Sequence, residues 1–122
     1  MENRSNTKNV TINDKVYQLN KIDPRTICWL FGFMAGKASG GLILTAFGNC
    51  TRAEFDEIQS IALRSIFYLD TKDGNTFPTA ILSNGGMFTQ KWLEEEPETV
   101  MKLTSDFVLF NLSPFLTTLE KE

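Results

Sequence analysis

The chain has 122 residues, no histidine and a formal net charge of −3. That length suits one domain able to bury a core without metal or disulfide staples, and its 12 Lys and Arg are scattered, with no basic stripe for a phosphate backbone. Without histidine the chain lacks the commonest general base and metal ligand, which excludes a Ser-His-Asp or Cys-His site built within it.

Residues 1–8 read as a polar leader without the pattern of a signal peptide. The stretch NVTINDKVYQL then reads as a β-hairpin. A two-residue turn at Asn13-Asp14 pairs Ile12 with Lys15 and Val10 with Tyr17, which puts Val10, Ile12, Tyr17 and Leu19 on one face. Asp23 as N-cap and Pro24 at the first helical position open a helix. Ile27, Leu30, Phe31, Met34 and Ala38 share one of its faces, while Trp29 and Phe33 fall elsewhere. A helix apolar nearly all round is expected to be covered, and Gly36, Gly40 and Gly41 are expected to end it.

The run LILTAFGNC fits a short strand or more helix. Thr51 and Glu54 then form a capping box, and Phe55, Ile58, Ala62, Ile66 and Leu69 follow at spacings of three and four. The pattern predicts an amphipathic helix from about Arg52 to Leu69. DTKDGNTFPTAILSNGG reads as a turn-rich connection around Asp73-Gly74. MFTQKWLEEE predicts a short helix, and Pro97 restarts the chain. Glu94, Glu95, Glu96 and Glu98 cluster at the positive end of the last helix. On that helix Val100, Leu103, Phe107 and Phe110 make one stripe, and Met101, Val108 and Leu112 a second. Pro114 is expected to break it, leaving Phe115 and Leu116 in a short segment before an acidic tail at 120–122. Residues 9–119 then form a single domain of α+β class, mainly a helical bundle with a small N-terminal β-hairpin.

Chemical motifs are weak. GKAS at Gly36–Ser39 lacks a phosphate loop's earlier glycine, since Phe31 stands there, and has Ala38 where Ser or Thr must follow the lysine. DTKDGN places Lys72 at a position where a calcium loop needs a ligand. The glutamate run around Pro97 reads as a solvated helix start. Acid catalysis would need a carboxyl buried beside apolar groups. No catalytic residue, metal ligand or cofactor is assigned. Cys28 and Cys50 read as two buried free thiols, with a disulfide as the alternative. The longest uncharged apolar run, Thr26 to Gly36, is too short to span a bilayer. Trp29 and Trp92 suit the core, or an interface anchor, and Trp92 is the better anchor because it sits on a short amphipathic element beside charges.

The order of elements, with TINDKVYQLNKI at the start, a helix opened by Asp23-Pro24, a capped middle helix and a last helix running into FVLFNLSPFLTTLE, resembles the tail assembly chaperones of long-tailed bacteriophages and prophages. The resemblance covers roughly residues 10–119, with Asn111, Ser113, Pro114, Phe115 and Leu116 at the family's C-terminal pattern, although SPFL departs from its double aromatic. It implies a non-enzymatic protein of the host cytoplasm that binds the tape-measure protein and recruits tail tube subunits, without nucleic acid or membrane and with self-association left open. The surplus apolar surface of the last helix suits such a role. Trp92, Phe110, Phe115 and Leu116 are the expected partner-binding residues. A small regulator or inhibitor of one host protein is the alternative, and an enzyme using carboxylates is a third class.

Overall fold

The structure is a computed structural model and describes residues 6–40 and 42–120, with side chains up to Leu116. Gly41, residues 1–5 of the expected leader and residues 121–122 of the expected tail lie outside the described residues. Asn13 and Asp14 both take the left-handed conformation, φ 52° and 66°, which closes the turn between β1 (Thr7–Ile12) and β2 (Lys15–Asn20). The register sets Val10 opposite Tyr17 and Ile12 opposite Lys15, as the turn dictates. Tyr17 and Leu19 are fully buried, and Val10 and Ile12 pack against the same core. Thr7 and Lys8 belong to β1 rather than to a leader.

A second hairpin, β3 (Ile66–Lys72) and β4 (Asn75–Ala80), overturns the expected helical bundle with one small hairpin. The four strands form one antiparallel sheet in the order β1-β2-β3-β4. The turn-rich connection is therefore the tip of this hairpin, with Asp73 and Gly74 at φ 55° and 81°. The middle helix stops at Arg64, five residues short of its expected end, and Ser65 caps it by donating its N–H to Ala62. Aromatic and β-branched residues in IFYL favour the pleated surface over the helix. Ile66 and Leu69, three apart, share a face of a helix but lie on opposite faces of a strand. Accordingly Ile66 is fully buried, whereas Leu69 is half-buried and stands apart from the core.

Three α-helices, α1 (Pro24–Lys37), α2 (Arg52–Arg64) and α3 (Pro97–Glu120), pack with the sheet around this core. Asp23 accepts the Thr26 hydroxyl at 2.6 Å and its backbone N–H at 3.0 Å, and these bonds hold its carboxyl below the usual carboxylate range. Glu54 is held low by the Thr51 backbone N–H first and then by Lys37, whose ammonium lies 3.0 Å away and ties the end of α1 to the start of α2. LILTAFGNC is neither strand nor α-helix: Ile43–Asn49 is a 3-10 helix. The expected helix in MFTQKWLEEE shrinks to a 3-10 turn at Lys91–Glu95. Helix α1 is less covered than its composition suggests. Trp29 is 40% exposed and stacks on Phe33 at 5.5 Å, and Cys28 is exposed as well. Both cysteines are free, and Cys50 is only half-buried.

Helix α3 is the centre of the domain. Leu103, Phe107, Val108 and Leu112 are fully buried, and so are the polar residues Thr99, Thr104 and Asn111. Each of the three is hydrogen-bonded, as burial demands. Thr99 donates to Glu96 at 2.8 Å, Thr104 donates to the Val100 carbonyl at 2.8 Å, and Asn111 bridges the segment after β2. The face of α2 that meets α3 provides a direct check. Ile58 is 1% exposed, whereas Phe55 is half-buried and meets Phe47 edge-on at 5.5 Å. Ile58→Ala is expected to cost about 2–4 kcal/mol, and Phe55→Ala about 1–2 kcal/mol, because truncation at the open site leaves no closed cavity. Urea denaturation of both variants measures the difference. The reverse order would show that α2 is rotated from the face described.

Candidate functional site

The C-terminal half of α3 decides where apolar surface is left over. Pro114 sits inside the helix, which continues to Glu120 instead of breaking. Proline has no N–H to return to the carbonyl four residues earlier, that of Phe110. That carbonyl accepts instead from Lys21 Nζ and Ser113 Oγ, each at 2.9 Å. The Lys21 ammonium also lies 4.5 Å from the centre of the Phe110 ring. Two side-chain donors, Lys21 from outside the helix and Ser113 from within it, thus satisfy the backbone at the proline, and the helix survives it.

Because the helix persists, Phe115 turns toward α1 and stacks on Phe31, with ring centres 4.4 Å apart and planes 12° from parallel. An open groove of about 620 Å³ forms between the start of α1 and this end of α3. Ile22, Pro24, Ile27, Pro114 and Phe115 make it apolar, and Cys28 and Asn6 also line it. Its size is that of a pocket for a few side chains or a small molecule. Asp23 borders the groove too, but its carboxylate is held by the helix cap.

The four expected partner-binding residues divide. Phe110, Phe115 and Leu116 share the last turns of α3 and all pack against the core. Of these, Phe115 lines the groove. Trp92 precedes the other end of α3, which at 1.5 Å per residue is about 20–29 Å away along the helix. Its indole N–H donates to the Tyr17 hydroxyl at 2.9 Å, its ring meets Tyr68 edge-on at 5.1 Å, and the Lys15 ammonium lies 4.6 Å from it. Burial chiefly pushes the Tyr17 phenol up, opposed by this hydrogen bond, so Tyr17 stays neutral and accepts from Trp92. Trp92 thus has internal partners for its N–H and for its ring.

A second groove of about 660 Å³ opens beside the start of α3, between Phe55, Phe88, Leu93, Val100 and Met101. Met101 is 36% exposed at its rim. Sequence reasoning placed Ile22, Ile27 and Cys28 on no site, since a groove between α1 and α3 depends on how two distant segments meet. Among the described residues, no group of three or more His, Cys, Asp or Glu is placed to hold a metal, and no helix is long and apolar enough to cross a membrane. No protein-family model matches the chain, and no curated protein or solved structure matches it.

Proposed function

We propose that this chain is a non-enzymatic assembly chaperone of a phage tail, which binds apolar side chains of the tape-measure protein and recruits tail tube subunits in the host cytoplasm. One observation carries the reading most. The segment FNLSPFL, on which the resemblance to tail assembly chaperones converges, borders an apolar groove open to solvent. The groove offers apolar walls, two prolines and the Phe115 ring backed by its stack on Phe31, which suit capture of a partner's apolar anchor.

Truncating Phe115 and Leu116 together would test this poorly, because both pack against the core. Cys28 is the better site, since it is exposed and lines the groove. Cys28→Arg is expected to keep the fold while filling the groove mouth, and to weaken capture of a tape-measure protein at least about tenfold, as loss of one good anchor does. Pull-down and titration against purified tape-measure and tube proteins measure it. Unchanged binding by a folded Cys28→Arg would remove the groove from the interface. If the parent binds neither tail protein, the chaperone reading fails, and binding to a single host protein becomes the better account.

A further inference from the structure

The second groove lies at the opposite end of α3 from the one the chaperone reading uses. Phe55, Phe88, Leu93, Val100 and Met101 make it apolar, and Glu94 also lines it. Leu93 is buried, and Phe88 and Val100 pack on the core. Phe55 and Met101 belong to no part of the core cluster, yet both line the groove.

The net charge of the chain is gathered beside this groove. Residues 91–98, KWLEEEPE, hold four glutamates against one lysine, a formal −3. The whole chain carries −3, so the remaining residues balance. Glu94 lines the groove, and Glu95 and Glu98 are exposed next to the lining residues Glu94 and Pro97. Glu96 is engaged, since it accepts from Asn13 at 3.2 Å and from Thr99 at 2.8 Å. The carboxylates of Glu94, Glu95 and Glu98 have no hydrogen bond or ion pair among the described residues. The start of α3 offers about half a positive charge, a fraction of what these three carry.

We infer that this groove is a docking site for a basic amphipathic helix of another protein, which sets apolar side chains against Phe55 and Met101 and lysine or arginine against Glu94, Glu95 and Glu98. Charge complementarity selects this occupant. An acidic protein, a nucleic acid or an anionic membrane is repelled here, and a neutral helix leaves three carboxylates without a counter-charge. A second copy of the chain would bring the same carboxylates to a two-fold contact. A helix also fits the walls better than an extended chain. None of the lining residues lies in β1–β4, so an extended chain finds no strand to lengthen. A helix needs only an apolar trough for side chains spaced i, i+3, i+4 and i+7. Met101 adds an unbranched thioether that adapts to differing anchors.

A volume of about 660 Å³ takes a few side chains rather than a long helix face. The apolar contact is therefore small, and charge supplies much of the attraction and of the choice of partner. Binding falls as salt rises, because exposed charges are screened beyond about 10 Å at about 0.1 M salt.

The probe is a labelled peptide of about 14 residues, about 21 Å of helix, with leucines along one face and lysines elsewhere. Its fluorescence anisotropy tests the inference without any tail protein, so its failure and that of the chaperone reading are distinguishable. The parent is expected to bind the peptide saturably, and to leave unbound a counterpart with glutamate for every lysine. Glu94→Lys is expected to weaken binding about fivefold. Glu57→Lys makes the same change of net charge, but Glu57 lies with Arg25 and Trp29 on the side of α2 toward α1, so binding is expected to stay within about twofold. Met101→Glu separates the groove from plain charge. It adds a carboxylate but removes an apolar wall, and is expected to weaken binding about fivefold with an unchanged circular dichroism spectrum, since Met101 is exposed and outside the core. Should it fail to fold, Met101→Gln is expected to show the same loss. A parent that binds neither peptide, or both alike, overturns the inference. So do equal losses in Glu94→Lys and Glu57→Lys, which would make the attraction a matter of net charge, and undiminished binding by a folded Met101 variant, which would remove the groove from the contact.

Discussion

Phe107→Ala is expected to cost about 3–5 kcal/mol, more than truncation of Ile58 or Phe55. Phe107 lies mid-way along α3 and is fully buried, with Leu103, Val108 and Leu112 buried around it on the same helix. Removing the ring forfeits its transfer from water and leaves a void that a helix packed on several sides cannot close. Its backbone carbonyl also accepts the Asn111 side-chain amide at 3.2 Å, so any shift of the helix toward the void disturbs a second residue. A domain of this size holds only about 5–15 kcal/mol of net stability, so the variant should be close to unfolding at physiological temperature. Equilibrium urea denaturation gives the number. A loss below about 1 kcal/mol would mean that α3 is not the centre of the core.

Asn111→Ala should cost about 2–4 kcal/mol by a different mechanism. Asn111 is fully buried. Its side-chain oxygen accepts the Ile22 N–H at 2.9 Å, and its side-chain nitrogen donates to the Asn20 carbonyl at 3.2 Å. The chain leaves β2 and enters α1 through these residues, and Asn111 takes up the Asn20 carbonyl and the Ile22 N–H at that exit. Alanine leaves both backbone groups facing a helix without a partner, and a buried unsatisfied group costs about 1–3 kcal/mol. Hydrogen exchange at the Ile22 amide separates this from a packing loss: it should accelerate in Asn111→Ala beyond what global destabilisation explains. Unchanged protection of that amide, at equal global stability, would refute the bridge.

Some of this architecture is local chemistry and was legible in the residues. Asn13-Asp14 tolerates positive φ, Asp23 with Pro24 starts a helix, and Thr51 with Glu54 makes a reciprocal cap; each acts within four residues, and each stands as read. The second hairpin was signalled by Asp73-Gly74 between two strand-forming runs. It was obscured because Ile66 and Leu69 happen to continue the helical spacing of α2. Strand pairing decides between the two periods, and the partners of β3 are β2, more than forty residues earlier, and β4.

Pro114 shows the same limit from the other side. Proline ends most helices because its ring leaves a carbonyl unpaired, and nothing near it in sequence announces that Lys21 will supply a donor from across the fold. That contact, with the Ser113 hydroxyl, satisfies the carbonyl; α3 stays whole, and its persistence brings Phe115 onto Phe31 beside the groove. The residues by themselves determined the caps, the first turn, the buried positions Ile58 and Ala62 of α2 and Leu103 and Phe107 of α3, and the lack of histidine chemistry, all properties of neighbours along the chain. Only the tertiary structure decided the number of strands, the survival of the last helix past its proline and which apolar residues remain outside the core, because each depends on a partner brought close by folding rather than by sequence.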